Sequence, residues 1–268
     1  MDKGAAFRRL HDTIFVMPNP SDLGMAKLLA HCGFKALATS SAGFAWTRGL
    51  QDGGVGFEAA IAHCKEMAAA TDLPVSGDLE MGKGDSAESA GETVFAAEAA
   101  GLAGCSIEDH TGEAARPIYD FNHAVERVAA AAEAARALKR DFVLTARTEN
   151  FLWGRPDFDD TIKRLQAFEA AGADVLFAPG VSDMGQVKEI CAALTRPVNV
   201  LAGGPHFTVA ALAEAGVKRI SLGPRLTNYA YGAVERAARE ILEAGTFEFN
   251  RDVMPSARIA DILAGKTA

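Results

Sequence analysis

The feature that most constrains this chain is an alternation: eight short, nearly continuous apolar runs take turns with eight longer amphipathic stretches. The apolar runs fall at residues 13–17, 36–40, 74–79, 104–108, 143–148, 175–178, 198–202 and 219–222. Their lack of polar alternation is what parallel strands covered on both faces require. Helical periodicity falls between and after them, at 21–31, 57–70, 86–100, 121–138, 158–171, 183–194, 208–215 and 228–243. Ser21-Asp22, Ser86 and Asp120 stand where N-caps belong, and Gly33, Gly101, Gly172 and Gly216 follow helices as left-handed terminators do. Eight βα units of roughly 30 residues predict an α/β fold, a (β/α)8 TIM-type barrel forming a single domain over residues 1–268. An open doubly wound sheet is the rival, and it has no need of a matched eight-fold count. Residues 245–268 read as a C-terminal tail with a short amphipathic piece at 256–263.

Charge narrows the partners. With 27 basic residues against 35 acidic and a net charge of -8, nucleic acid and anionic membrane are poor fits. No apolar stretch approaches the roughly 20 residues of a membrane span, and residues 1–12 lack the pattern of a signal peptide. The four cysteines, Cys32, Cys64, Cys105 and Cys191, show no CxxC spacing and read as buried, reduced thiols. The expectation is a cytoplasmic protein acting on a small molecule.

In such a barrel the chemistry belongs at the C-terminal ends of the strands. The third run ends with Asp78 and Glu80, two residues apart and so on one side of an extended chain. Paired carboxylates repel unless a cation or a shared proton intervenes. The fourth run adds Glu108-Asp109-His110. Such oxygen-rich clusters suit Mg²⁺ or Mn²⁺ better than zinc, although helix capping or pairing with Lys83 and Arg147 would also explain the acids. The second run ends in Thr39-Ser40-Ser41-Ala42-Gly43, small residues whose amides can form an oxyanion nest. Asp52, in Gln51-Asp52-Gly53-Gly54, reads equally as a site residue or a turn aspartate. Arg147 ends an apolar run and needs an anion: a substrate carboxylate, or else Glu149 or Glu108. His110 is the one histidine at a strand end, whereas His31, His63 and His123 lie in helical patterns and read as surface or interface residues.

These motifs in this order resemble the isocitrate lyase / phosphoenolpyruvate mutase superfamily over nearly the whole chain. They are the Met17-Pro18 strand end, Ser40-Ser41, Asp52, Asp78-x-Glu80-x-Gly82-x-Gly84, Glu108-Asp109 and Ala146-Arg147-Thr148. The resemblance implies Mg²⁺ held directly by Asp78, with Asp52, Glu80 and Glu108 acting mostly through water. It also implies an oxyanion nest at Ser40, Ser41 and Ala42, and a substrate carboxylate at Arg147. Members form homo-oligomers, typically tetramers, and exchange the last barrel helix between subunits, which would account for the tail. The departures concern the reaction. The lyases carry a Lys-Arg-Cys-Gly-His loop after the fourth strand, where this chain has His110-Thr111-Gly112-Glu113-Ala114-Ala115-Arg116-Pro117. Neither that cysteine acid nor the lysine and asparagine of the mutases is present, Pro179 stands where the lyases place a glutamate, and Glu80 where many members have aspartate.

The reading that results is a Mg²⁺-dependent lyase cleaving a C–C bond of a small 2-oxo or 2-hydroxy carboxylic acid through an enolate-like intermediate. In it Asp52 orients the metal waters, Arg147 clamps a carboxylate, and His110 or water supplies the acid. The alternatives are phosphonate P–C chemistry on the same site, a phospho-sugar barrel, and a metabolite-binding barrel without turnover.

Overall fold

In a computed structural model, which describes residues 2–266, the chain forms a barrel of eight parallel strands. The strands are β1 (Phe15–Met17), β2 (Leu37–Ala38), β3 (Val75–Gly77), β4 (Gly104–Glu108), β5 (Val143–Arg147), β6 (Val175–Phe177), β7 (Val198–Leu201) and β8 (Arg219–Ser221). Each pairs with its sequence neighbour from β2 to β8, and β8 pairs with β1. The remaining seam is drawn together by the Ala38 amide, which donates to the Pro18 carbonyl at 3.0 Å. Buried Asn19 fastens the same corner, donating to the Thr39 carbonyl at 2.8 Å and accepting from the amides of Leu222 and Gly223. The open doubly wound sheet is thereby excluded.

Eleven helices surround or close the described barrel. Eight are the expected ones: α2 (Leu23–His31), α4 (Phe57–Ala70), α5 (Ala87–Ala99), α6 (Phe121–Ala137), α7 (Phe158–Ala171), α8 (Met184–Ala193), α9 (Val209–Glu214) and α10 (Arg225–Ala244). Asp22 and Ser86 cap α2 and α5 through their side chains, whereas Asp120 occupies the cap of α6 without a side-chain hydrogen bond. Gly172 ends α7 at φ 109°, the left-handed region that only glycine enters freely.

Two further helices have no forerunner in the periodicity. Helix α1 (Lys3–Leu10) lies across the N-terminal end of the barrel and plugs it. Its Phe7 is fully buried and meets His11 and Phe15 edge-to-face at 5.1 and 6.2 Å. Gly4 lets α1 touch the Asp141 backbone, where any Cβ would collide with the carbonyl oxygen at 1.7 Å. Helix α3 (Ser41–Thr47) begins directly at the end of β2, with Ser40 as its side-chain cap. The tail forms a 3₁₀ turn (Glu248–Asp252) and α11 (Ser256–Leu263), which packs against α2. Only Thr227 of α10 is buried, and Tyr229, Val234 and Leu242 stand exposed, the last at 85%. No described helix is long and apolar enough to cross a membrane. All four cysteines are free, Cys64 and Cys105 in the core but Cys32 exposed, against the expectation of burial throughout.

Candidate active site

A cavity of about 330 Å³ opens at the C-terminal ends of the strands, a size suited to a small organic acid. Its acidic wall is built from β2, β3 and β5. Asp78 follows β3 and is fixed from three directions. The Ser41 amide and hydroxyl donate to its Oδ2 at 2.9 and 3.1 Å, Arg147 donates to its Oδ1 at 2.6 Å, and its own amide donates to the Thr39 hydroxyl at 2.8 Å. Ser40 spends its hydroxyl on the Gly43 amide at 3.1 Å, and Ala42 lines the cavity beside it. The expected nest is thus the first turn of α3, with the Ser41 amide already committed to Asp78.

Arg147 is the hub. Its guanidinium reaches Asp78 and Glu108 at 2.6 Å each and Glu149 at 2.9 Å. Both pairings expected as alternatives to a substrate carboxylate are therefore present, together with a third. Burial works against the Arg147 charge, but Glu108, Glu149 and Asp78 outweigh it, so the guanidinium is held above its usual pKa. Burial pushes Glu108 well above the usual carboxylate range, with Arg147 opposing, and it raises Glu149 in the same way. The Asp109 carboxylate, also buried, receives the Glu149 amide at 2.8 Å and pairs with Arg164 at 3.1 Å, anchoring the loop after β5.

Glu80 does not share the direction of Asp78. Strand β3 stops at Gly77, so side-chain alternation does not extend to either acid, and Glu80 turns to φ 54°. It lines a second cavity of about 280 Å³, to which Asp78 also contributes. Desolvation, then Asp78 and Asp52, push its carboxyl up to about 7. Asp52 sits on an exposed loop at the rim of the first cavity, raised by desolvation and then by Asp78. The loop carrying Asp78 and Glu80 is gripped from below by Arg127, 1% exposed, which donates to the carbonyls of Met81, Gly84, Asp85 and Ser86. Nothing in the sequence around Arg127 marked this role, since a helical arginine reads as surface.

His110 lies outside both cavities. Its ring stacks on Trp153 at 3.9 Å and its buried Nε2 has no partner. The loop it begins closes on itself: the Thr111 amide donates to the Pro117 carbonyl at 2.9 Å, and the Thr111 hydroxyl to the Arg116 carbonyl at 2.6 Å. No residue from 110 to 120 lines the cavity. His63, expected at the surface, is 7% exposed, lines the second cavity and stacks on Phe44 at 3.8 Å. The opposite wall of the first cavity, from β6 to β8, holds Phe177, Pro179, Asn199, Ser221, Arg225 and Asn228, with Arg219 at its floor.

The acidic wall fits a hard divalent cation in charge and chemistry. Asp78, Glu108 and Glu149 pair with a single guanidinium, and with Asp52 and Glu80 nearby the acids raise one another by repulsion. All of these donors are oxygen. Among the described residues no three His, Cys, Asp or Glu side chains converge as direct ligands. Being all oxygen, the donors suit a hard cation of the Mg²⁺ type, which is commonly held by one or two carboxylates with water completing its shell.

Three comparisons with known proteins bear on this geometry. A family model described as phosphoenolpyruvate phosphomutase matches residues 7–242. The 2-methylisocitrate lyase of Escherichia coli K12 is 30% identical over 228 residues, covering 81% of this chain and 74% of the relative. Among solved structures, a candidate lyase/mutase from Burkholderia cenocepacia J2315 is 47% identical with a TM-score of 0.95, over 98% of this chain and 95% of the other. A phosphonopyruvate hydrolase crystallised with oxalate and Mg²⁺ shares the fold at 23% identity and a TM-score of 0.87, over 99% of this chain and 95% of the other.

Proposed function

Because the chain belongs to the phosphoenolpyruvate phosphomutase family, in the superfamily that includes isocitrate lyase, we propose that it is a Mg²⁺-dependent lyase. Its substrate is a small 2-oxo or 2-hydroxy carboxylic acid, cleaved at a C–C bond through an enolate-like intermediate. The observation that carries this reading is Asp78, pinned at the cavity wall by the Ser41 amide, the Ser41 hydroxyl and Arg147. Mg²⁺ or Mn²⁺ would be held at Asp78, with Glu80, Glu108 and Asp52 as outer partners; when bound it would draw charge from the reacting oxygens. The oxalate and Mg²⁺ in the phosphonopyruvate hydrolase support that choice of metal and of ligand class.

The chain's own residues do the rest. Ser40, Ser41 and Ala42 cradle the substrate's carboxylate end on the first turn of α3, where amides and the helix terminus favour negative charge. Arg147 places its positive charge beside that end and keeps the three carboxylates around it in register. Asp52, at the rim with a raised pKa, exchanges the proton that bond cleavage requires, and water protonates the product carbanion in place of His110. The exposed face of α10 fits exchange with a second copy, giving a homo-oligomer, dimer or tetramer, of single-domain subunits in the cytoplasm. The test is a turnover screen with and without Mg²⁺ over oxaloacetate, isocitrate, methylisocitrate, dimethylmalate and phosphonopyruvate. Turnover of phosphonopyruvate alone would replace the C–C reading with P–C chemistry, and no Mg²⁺-dependent turnover of any would leave a binding protein.

A further inference from the structure

Arg219 opens β8 at the deep end of the cavity and is 2% exposed. Its Nε donates to Asn199 Oδ1 at 2.9 Å, one terminal nitrogen donates to the Thr145 hydroxyl at 2.8 Å, and the other lies 3.5 Å from His11 Nε2. The His11 Nδ1 is 3.0 Å from the Phe7 carbonyl, which places its proton there and leaves Nε2 as the acceptor facing Arg219. Every contact is therefore neutral, and among the described residues Arg219 makes no ion pair. The nearest charge to weigh on it is another cation: burial first, then Arg147, push its pKa down to about 9. A guanidinium in such a place is costly, because its hydration is lost and nothing of opposite sign replaces it. Arg147, one strand-end layer above, has three carboxylates, and Arg219 has none.

The surroundings are those of a receptor. The cavity reaches down to Arg219 between Ser76, Ser106, Thr145, Asn199 and Ser221, a ring of hydroxyls and one amide in the barrel axis. Of the five N–H donors of a guanidinium, three are engaged, leaving two for a ligand. Below, α1 and the Phe7–His11–Phe15 cluster close the floor, so the ligand must arrive from the mouth. We propose that Arg219, with Thr145, Asn199 and Ser221, forms a subsite on the barrel floor for a carboxylate-sized monoanion. The occupant is either a free ion or the far carboxylate of the substrate. The subsite does not depend on the lyase reading, because binding there is measured without turnover.

Asn199→Asp tests it. The change is nearly isosteric: the new carboxylate takes the place of Oδ1 beside Nε, and the Ser221 hydroxyl, now 2.9 Å from Asn199 Nδ2, turns to donate. It supplies from within the anion that the site otherwise takes from solution. Formate is the probe, titrated during thermal melts in a buffer free of other small anions. Above the dissociation constant the wild-type melt should rise with the logarithm of formate concentration, by roughly 2–4 °C for each tenfold increase in a chain of this size. Asn199→Asp should melt higher than wild type without formate and should no longer respond to it. Arg219→Met should lose the response as well, and if it fails to fold the aspartate variant still decides. Equal formate shifts in wild type and Asn199→Asp, or none in either, overturn the proposal. A malonate arm identifies the occupant. Competition between malonate and formate assigns the floor to the substrate's far carboxylate, and additive stabilisation assigns it to a free ion.

Discussion

The two walls of the cavity handle charge in opposite ways. From β2 to β5 the strand ends crowd carboxylates around one arginine, and each acid is held by a named donor or raised by its neighbours. From β6 to β8 the lining is amide, hydroxyl and apolar, with arginine at the floor and rim and no acid at all. Asp52 and Asp78 line the first wall with Glu108 and Glu149 buried behind it around Arg147, whereas the only charges on the second are arginines. A ligand that satisfies both must carry a cation-seeking oxygen cluster at one end and an anion at the other. The dicarboxylic acid and metal proposed above would meet both demands.

The sharpest way to break this contrast is to remove its negative pole. Asp78→Ala is expected to abolish Mg²⁺ binding, read by calorimetry, and all turnover, while the circular dichroism spectrum stays that of the wild type; an unchanged isotherm would sink the idea. Next in size is a difference from relatives. Without a cysteine acid in the 110–117 loop and without any residue of that loop in the cavity, isocitrate cleavage should run about 10²–10⁴-fold below that of lyases possessing it. Equal rates in a side-by-side assay would mean that the acid lies elsewhere.

Arg147→Met asks what the acidic wall needs. It leaves Glu108 and Glu149 buried without a partner, and the apo protein should lose on the order of 3–5 kcal/mol by denaturant melt. If surplus charge is the reason, millimolar Mg²⁺ should restore part of the loss; restoration by K⁺ to the same extent would show that only ionic strength matters. The smallest effect concerns a neutral group behind the same wall. Burial lowers His63 from the usual 6.5 to about 4, so the folded state takes up its proton later than the unfolded one. Its contribution is present above about pH 6.5 and is lost as pH falls toward 4, at most about 3 kcal/mol by linkage. His63→Phe, which keeps the stack on Phe44 and deletes the unpartnered Nε2, should flatten that acid limb and change neutral-pH stability by about 1 kcal/mol or less. An unaltered acid limb would exclude His63 as its source.

The sequence disclosed one wall far better than the other, for a physical reason. Parallel strands buried on both faces betray themselves by unbroken apolar runs, and carboxylates at their ends stand out against that background, so Asp78, Glu108 and Arg147 were legible. Position was less so. The direction of Glu80 depended on where β3 stops, and His110 read as a site residue because strand-end location says nothing about a loop that folds back on itself. Asn199 and Arg219 escaped notice because they sit inside strands, where facing inward depends on barrel closure and where only strand ends invite scrutiny. Helices α1 and α3 escaped for another reason: α1 precedes the first apolar run and α3 shares the stretch after the second run with α4, so an alternation of one strand with one helix leaves no place for either. Both nevertheless shape the cavity, α3 through the Ser41 and Ala42 that line it and α1 as its base.

That base makes the barrel a blind well, and a blind well imposes an order of departure. On the proposed lyase reading, and with the floor taken by the substrate's far carboxylate, the fragment nearer the mouth would have to leave before the fragment seated over Arg219 could follow. The inner product would then be the last to dissociate, and it would meet the next substrate as a direct competitor. The outer product would meet an enzyme that still holds its partner fragment, and would slow turnover in a different pattern. The closing of one end of the barrel by eight residues of helix would thus fix a kinetic sequence that no side chain in the chemistry specifies.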